Sequence, residues 1–260
     1  SPRSSVGRVR LCQEVWIPIG PARKGGDLDL LEKFGGFPEP LFSQDARTLR
    51  RWHNERNERL FREDIQDVEM IRDLGSMKLL SDMLPTKVGA LLSVNNMRED
   101  LEVSHRAVSR WLDILEAFYY QFRIRHYART PFRALKKEPK LYLWDWSEVA
   151  EGPARFENLI ASHLLKLVHW LHDHEGYKAG LYFLRDSNQK EVDFLVTVDE
   201  KPWFAVEVKS QDEEASPALR SFQERLKIPF AYQVLRKKGV DKLVRGVRVV
   251  SADSFLGALV

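Results

Sequence analysis

Glu191-Val192-Asp193-Phe194-Leu195-Val196 and, after a short polar turn, Ala205-Val206-Glu207-Val208-Lys209 decide the reading of this 260-residue chain. Both runs alternate as strands do, and each places charge where a buried sheet carries apolar side chains. With a turn at about Asp199–Pro202 they predict a hairpin. Glu191, Asp193 and Leu195 then share one face of the first strand, and Ala205, Glu207 and Lys209 share one face of the second. A register centred on Glu200 sets Asp193 beside Glu207, while Val192, Phe194, Val206 and Val208 fill the other face. Two carboxylates opposed on neighbouring strands repel unless a cation lies between them. Hard oxygen donors suit Mg2+ or Mn2+, so Asp193 and Glu207 are the expected metal ligands. Lys209, on the face of Glu207, is placed to steer a water or to stabilise charge developing on a phosphodiester.

Working outward, Ala154 to about His172 reads as a long helix. Its apolar stripe is Ile160, Ala161, Leu164, Val168 and Leu171, and Glu157 falls inside that stripe. A carboxylate on a core-facing stripe is costly unless paired or metal-bound, which makes Glu157 a third candidate acid. Strands follow at Leu181–Leu184, Val192–Val198 and Trp203–Val208, then a helix at about Ala218–Leu226, then strands Phe230–Leu235 and Gly246–Val250. Gln223 lies near Leu219 and Leu226 on the inner side of that second helix. The order is α-β-β-β-α-β. By itself an Asp…Glu-x-Lys spacing is weak, since Glu207 and Lys209 equally describe an exposed ion pair on a sheet. The stripe position of Glu157 and the element order carry the catalytic reading.

Upstream, residues 1–30 read mostly as loop, with a helix from Asp27 to Phe34 stopped by Gly35-Gly36-Phe37-Pro38. Asp45 to about Leu84 reads as charged helix, with Leu49, Trp52, Leu60, Ile65, Val68, Ile71 and Leu74 as its apolar positions. A helix over 87–92, an N-cap at Ser104 and a helix Arg106–Ala117 then suggest a helix-turn-helix. Val108, Trp111, Leu112 and Leu115 face inward there, and Arg106, Ser109, Arg110 and Asp113 face outward. Phe118–Tyr127 alternates as a strand and would be the wing, and Leu141–Trp144 is strand-like. Residues 123–140 hold seven Lys/Arg against one acid, Glu138. Such a stripe suits phosphate contact, so Ser104, Arg106, Ser109, Arg110, Arg123, Arg125 and Arg129 are the candidate DNA-binding residues. A three-helix linker with a polar surface is the plainer alternative.

Composition narrows the classes. The chain is 43% hydrophobic with a formal charge of +3, so nucleic-acid binding must come from local clustering. Cys12 is the single cysteine, which excludes a disulfide framework and a Cys-rich zinc site and fits a reducing cytoplasm. No run of about 18 apolar residues and no signal-peptide pattern occurs, so no membrane partner is expected. His163, His169, His172 and His174 read as surface histidines of one helix rather than zinc ligands.

Several of these blocks resemble the C-terminal part of an AAA+ ATPase family that carries the DUF4143 domain. They are Gly35–Glu39, the Arg62-Glu63-Asp64 helix, Val103–Glu116, Lys140–Asp145, Arg155–Leu159, Glu191-Val192-Asp193 and Glu207-Val208-Lys209, and they occur in family order. Ser4–Arg8 resembles the end of the ATPase core in such proteins. The resemblance implies an α/β protein in three parts. Residues 1–84 would be a remnant of the ATPase C-terminal region and helical lid. Residues 85–139 would be a winged helix-turn-helix, and 140–260 a PD-(D/E)XK nuclease-like (DUF4143) domain. Carried over, the site is Glu157, Asp193, Glu207 and Lys209, with Gln223 a weaker match. No GxxxxGK[ST] loop occurs, so ATP binding by this chain is not expected. The expected function is DNA binding with Mg2+- or Mn2+-dependent phosphodiester hydrolysis. A non-catalytic DNA-binding, regulatory or protein-interaction module is the alternative. Expected partners are double-stranded DNA and an ATPase core or a second copy of the chain. The start at Ser1, in mid-domain sequence, suggests a longer parent.

Overall fold

The computed structural model describes residues 27–65, 73–128 and 137–259. Asp27–Phe34 forms helix α1, which stops where Gly35 takes a left-handed backbone (φ +79°) that glycine adopts without strain. Pro38–Ser43 (α2) and Ala46–Arg59 (α3) follow; the Asp45 carboxylate caps α3 by accepting from the Thr48 N–H at 2.7 Å. The expected long helix is not continuous. α3 passes into a π-helical turn at Leu60–Ile65, and Leu74–Met83 (α4) is a separate helix capped by Asp73. Val68 and Ile71 lie outside the described residues, as do Ser4–Arg8 and Cys12.

The expected helix over 87–92 is absent. Leu84–Lys87 is a 3-10 turn, and Val88 and Leu91 instead bridge to Leu141 and Lys140. Gly89 is the physical reason: at φ +76° it breaks any helix and lies so close to Glu157 that an added Cβ would meet its Oε1 at 3.2 Å. Val94–Asp100 (α5) and His105–Ala117 (α6) come next. Ser104 caps α6 through the Ala107 N–H at 3.1 Å, and Val108, Trp111, Leu112 and Leu115 are buried as the pattern demands.

Eight strands form one mixed sheet: β1 Gln121–His126, β2 Lys140–Leu143, β3 Ala179–Arg185, β4 Glu191–Val198, β5 Lys201–Lys209, β6 Phe230–Leu235, β7 Asp241–Val244 and β8 Val247–Ser251. Their spatial order is β2-β1-β3-β4-β5-β6-β8-β7. β1, anticipated as a wing, is an interior strand: it pairs antiparallel with β2 and parallel with β3. Both its edges are taken and Phe122, Ile124 and His126 bury one face, while Arg125 on the other is exposed, so β1 is a strand of the sheet and not a free-standing wing. The sheet thus runs unbroken across residues 139/140.

Pro153–Asp173 (α7) covers one face, packing Leu159, Ile160, Leu164 and Leu171 with Phe194, Val196, Phe204 and Val206. Pro217–Leu226 (α8) covers the other, packing Leu219 and Phe222 with Leu184, Val192, Leu195 and Ala205. Ala252–Leu256 (α9) follows β8. The sequence α7-β3-β4-β5-α8-β6 reproduces the expected α-β-β-β-α-β order. Among the described residues no helix is long and apolar enough to cross a membrane.

β2 ends the sheet, and its outer edge is covered. Gly89 and Leu92 donate backbone N–H groups to Leu141 and Pro139, and the Asn158 amide accepts from Leu143 N–H (2.9 Å) and donates to Leu143 C=O (2.8 Å). Asn158 is fully buried, so it behaves as a one-residue strand. Asn158→Ala strands two buried backbone groups and should lower unfolding free energy by roughly 2–4 kcal/mol. Urea denaturation checks this, and a loss well under 1 kcal/mol would deny Asn158 that role.

Candidate functional site

The β4–β5 hairpin turns at Asp199-Glu200, both in left-handed backbone (φ 50° and 65°), as a two-residue turn matched to strand twist requires. Phe194 pairs with Val206 and Leu195 with Ala205, the register expected from the sequence, but a shift between Val196 and Thr197 places Val198 opposite Lys201 at the turn. One step further, Asp193 comes level with Glu207, and the Val208 N–H donates to Asp193 Oδ2 at 2.9 Å.

Simple face alternation fails at this point. Val192 packs with Leu195 on the α8 side, whereas Phe194, Val206 and Val208 pack on the α7 side. The cause is a bulge: Tyr182 and Leu184 of β3 oppose Leu195 and Val192, so β4 holds one residue more than β3 over that interval. The extra residue turns Asp193 out of the Leu195 face and towards α7 and β2, a re-aiming that bulges commonly perform.

There it meets a side chain not anticipated for the site. Lys140, at the start of β2, is 3% exposed, and its Nζ lies 2.6 Å from Glu191 Oε1, 3.4 Å from Glu157 Oε1 and 3.5 Å from Asp193 Oδ1. Tyr142, two residues on and therefore on the same face, donates its hydroxyl to Glu157 Oε1 at 2.7 Å. Glu157 projects from the first turns of α7 into this group, as its place on the apolar stripe required. On the far side, Lys209 donates to Glu207 Oε1 at 2.8 Å, while Glu207 Oε2 is enclosed and has no hydrogen-bond partner among the described residues. Arg185 pairs with the other oxygen of Glu191 at 3.1 Å. Four carboxylates share three cations.

Burial, then the charge of Asp193, pushes both the Glu157 and the Glu207 carboxyl up to about 7. Burial alone would pull the Lys140 ammonium down; the charges of Glu157, Asp193 and Glu191 outweigh it and hold its pKa above the ordinary lysine value. Burial and the Glu157 charge raise Tyr142 well above a free phenol, so it stays a donor. Among the described residues no group of three or more His, Cys, Asp or Glu side chains is placed to hold a metal ion.

The remaining candidates divide. Gln223 is half-buried on α8, against the opposite face of the sheet from Glu157, and among the described residues no hydrogen bond joins its amide to the carboxylates. Arg106 and Arg110 are exposed on α6, Ser109 is half-buried beside them, and the Ser104 hydroxyl is engaged as the cap. Arg125 is exposed on β1, but the Arg123 guanidinium is held by Asp113 and Glu116. Arg129 lies outside the described residues. His163, expected at the surface, is half-buried against Trp146, and burial lowers its pKa. A cavity of about 180 Å³ lined by Glu39, Trp52, Arg56, Arg59 and neighbours shares no lining residue with the carboxylate group.

The raised carboxyls have a consequence for stability. Between about pH 4.5 and about 7 the folded chain retains protons on Glu157 and Glu207 that the unfolded chain has released, so their contribution to stability falls as pH rises through that window. Glu157→Gln removes one of the two titrations. Its urea midpoint should decline less steeply across the window than that of the parent chain, and an equal decline would contradict the assignment.

Residues 27–149 match the family model described as Domain of unknown function (DUF8612), and residues 154–255 match Domain of unknown function (DUF4143). The first stretch contains Lys140 and Tyr142; the second contains Glu157, Asp193, Glu207 and Lys209. No curated protein matches the chain, and no solved structure matches it. Over residues 154–255, the chain therefore carries a DUF4143 domain.

Proposed function

We propose that this chain binds DNA and hydrolyses phosphodiester bonds with a divalent ion held by Asp193 and Glu207. One observation carries the reading: Glu207 Oε2 is a buried acceptor without a partner among the described residues, level with Asp193 on a bulged strand. An orphaned carboxylate oxygen that feels the charge of a second carboxylate is what a cation site presents when its protein ligands are considered alone. The donor set fits Mg2+, which is commonly held by one or two carboxylates and water, rather than a closed three-acid cage. Bound there, Mg2+ or Mn2+ would lower the pKa of a water and polarise a phosphoryl oxygen.

The chain's own groups have separate tasks. Lys209, 41% exposed, is the cation on the solvent side, and its ammonium is placed to stabilise charge on the phosphodiester. Its attachment to Glu207 Oε1 leaves Oε2 for the ion. Glu157, held by the Tyr142 hydroxyl and Lys140, positions the centre from the α7 side. The PD-(D/E)XK-like reading and the AAA+ context rest on the motif order and the DUF4143 match, and the exposed Arg106 and Arg110 of α6 are the supports for DNA contact. Because β1 lies inside the sheet, α6 without a wing is the DNA-facing element in this reading.

A second reading, a non-catalytic DNA-binding or partner-binding module, is favoured by Lys140, which neutralises much of the acid group internally. Supercoiled plasmid separates the two. Nicking is expected with Mg2+ or Mn2+, lost with chelator and lost in Asp193→Ala at unchanged DNA affinity. A folded chain that nicks with neither ion leaves the second reading. Arg106→Glu with Arg110→Glu should weaken DNA binding at least about tenfold and reduce the salt slope by about 2. Unchanged affinity would remove α6 from the interface.

A further inference from the structure

The divalent ion proposed above and a buried lysine address the same carboxylate. Lys140 Nζ is 3.5 Å from Asp193 Oδ1, on the enclosed side of the acid group, while Lys209 pairs with Glu207 at its exposed end. A lysine on a surface satisfies its charge with water. One that is 3% exposed stays charged only because acids surround it, and Glu191, Glu157 and Asp193 do so from β4 and α7. The backbone fixes where the side chain starts: β2 is anchored by β1 on one side and by Val88–Leu92 and Asn158 on the other, so the Lys140 stem enters the acid group from a strand held on both edges.

We propose that Lys140 is the counterion that sets the divalent-ion affinity of this centre, holding Asp193 and Glu157 together without metal and opposing metal on Asp193. The proposal rests on Asp193 and Glu207 as the ion's ligands. A positive charge touching the same carboxylate repels a doubly charged ion, and enclosure keeps water and salt from screening that repulsion. A phosphodiester brings negative charge and offsets it, so ion and nucleic acid should each tighten the other's binding. Lys140 thereby reserves a tightly held ion for the substrate-bound state.

The test is Mn2+ binding by the whole chain without nucleic acid, read from the electron paramagnetic resonance signal of free Mn2+. Lys140→Met should bind Mn2+ at least about tenfold more tightly than the parent chain, and its melting temperature, lowered without metal, should recover when Mn2+ is added. The double variant Lys140→Met/Glu191→Gln removes the 2.6 Å pair as a unit and keeps the net charge, so it carries the test if the single variant fails to fold. Adding Asp193→Asn to that double variant should abolish the gain. Mn2+ affinity in the double variant equal to or below the parent's overturns the proposal, as does a gain that survives Asp193→Asn. Tight Mn2+ binding by the double variant beside a parent chain that never nicks DNA would sustain the role of Lys140 and remove the nuclease reading. The two can therefore fail separately.

Discussion

An enclosed ammonium bonded to three carboxylates is the constraint on which the rest of this centre depends. Lys140 comes from the edge strand β2, Glu157 from α7, and Glu191 and Asp193 from β4. Removing Lys140 leaves buried carboxylates without their shared cation, so the group ties a helix and two strands that are not neighbours in the sheet to one another. The bulge in β4 belongs to the same arrangement. Without it Asp193 would share the face of Leu195, towards α8 and away from Lys140.

The N-terminal helices join the sheet by similar chemistry. Trp52 donates to Asp145 and Arg56 pairs with Glu148, while Tyr120 donates its hydroxyl to Glu148 at 3.0 Å. Burial, then the neighbouring Asp145, pushes Glu148 up to about 7. α1 reaches further, with Glu32 bonded to Arg236 and the carbonyl of Leu31 accepting from the Trp146 indole. The two stretches that match separate family models are therefore fastened by buried polar contacts as well as by a shared sheet. The polar layer specifies how α3 docks, because its apolar pattern does not: α3 buries none of its residues.

Much of the C-terminal half was legible because its signals are local. Strand alternation gave β4 and β5, the hydrophobic pattern gave their pairing around Phe194 and Val206, and the stripe of α7 exposed Glu157 as an acid facing the core. What escaped depends on distant partners. Lys140 counted as one more basic residue of a phosphate-binding stripe, because the acids that bury it lie 17, 51 and 53 residues away. β1 looked like a wing for the same reason: its alternation marks a strand, but only pairing with β3 shows that both its edges are taken. The bulge at Asp193 is invisible in β4 alone, since it is a mismatch between two strands. Gly89 was the overlooked local signal, a helix breaker in the middle of an expected helix. β7, short and exposed, offered no apolar run to find.

The account's central claim is a divalent ion seated between Asp193 and Glu207 while Lys140 stays at Asp193. A crystal of the whole chain grown with Mn2+ and a short DNA duplex, with anomalous diffraction recorded at the manganese edge, measures this directly. The account predicts one strong anomalous peak within bonding distance of Asp193 and of Glu207 Oε2, with the Lys140 ammonium still against Glu191. Density for DNA without such a peak, or a peak held by other side chains, would contradict it.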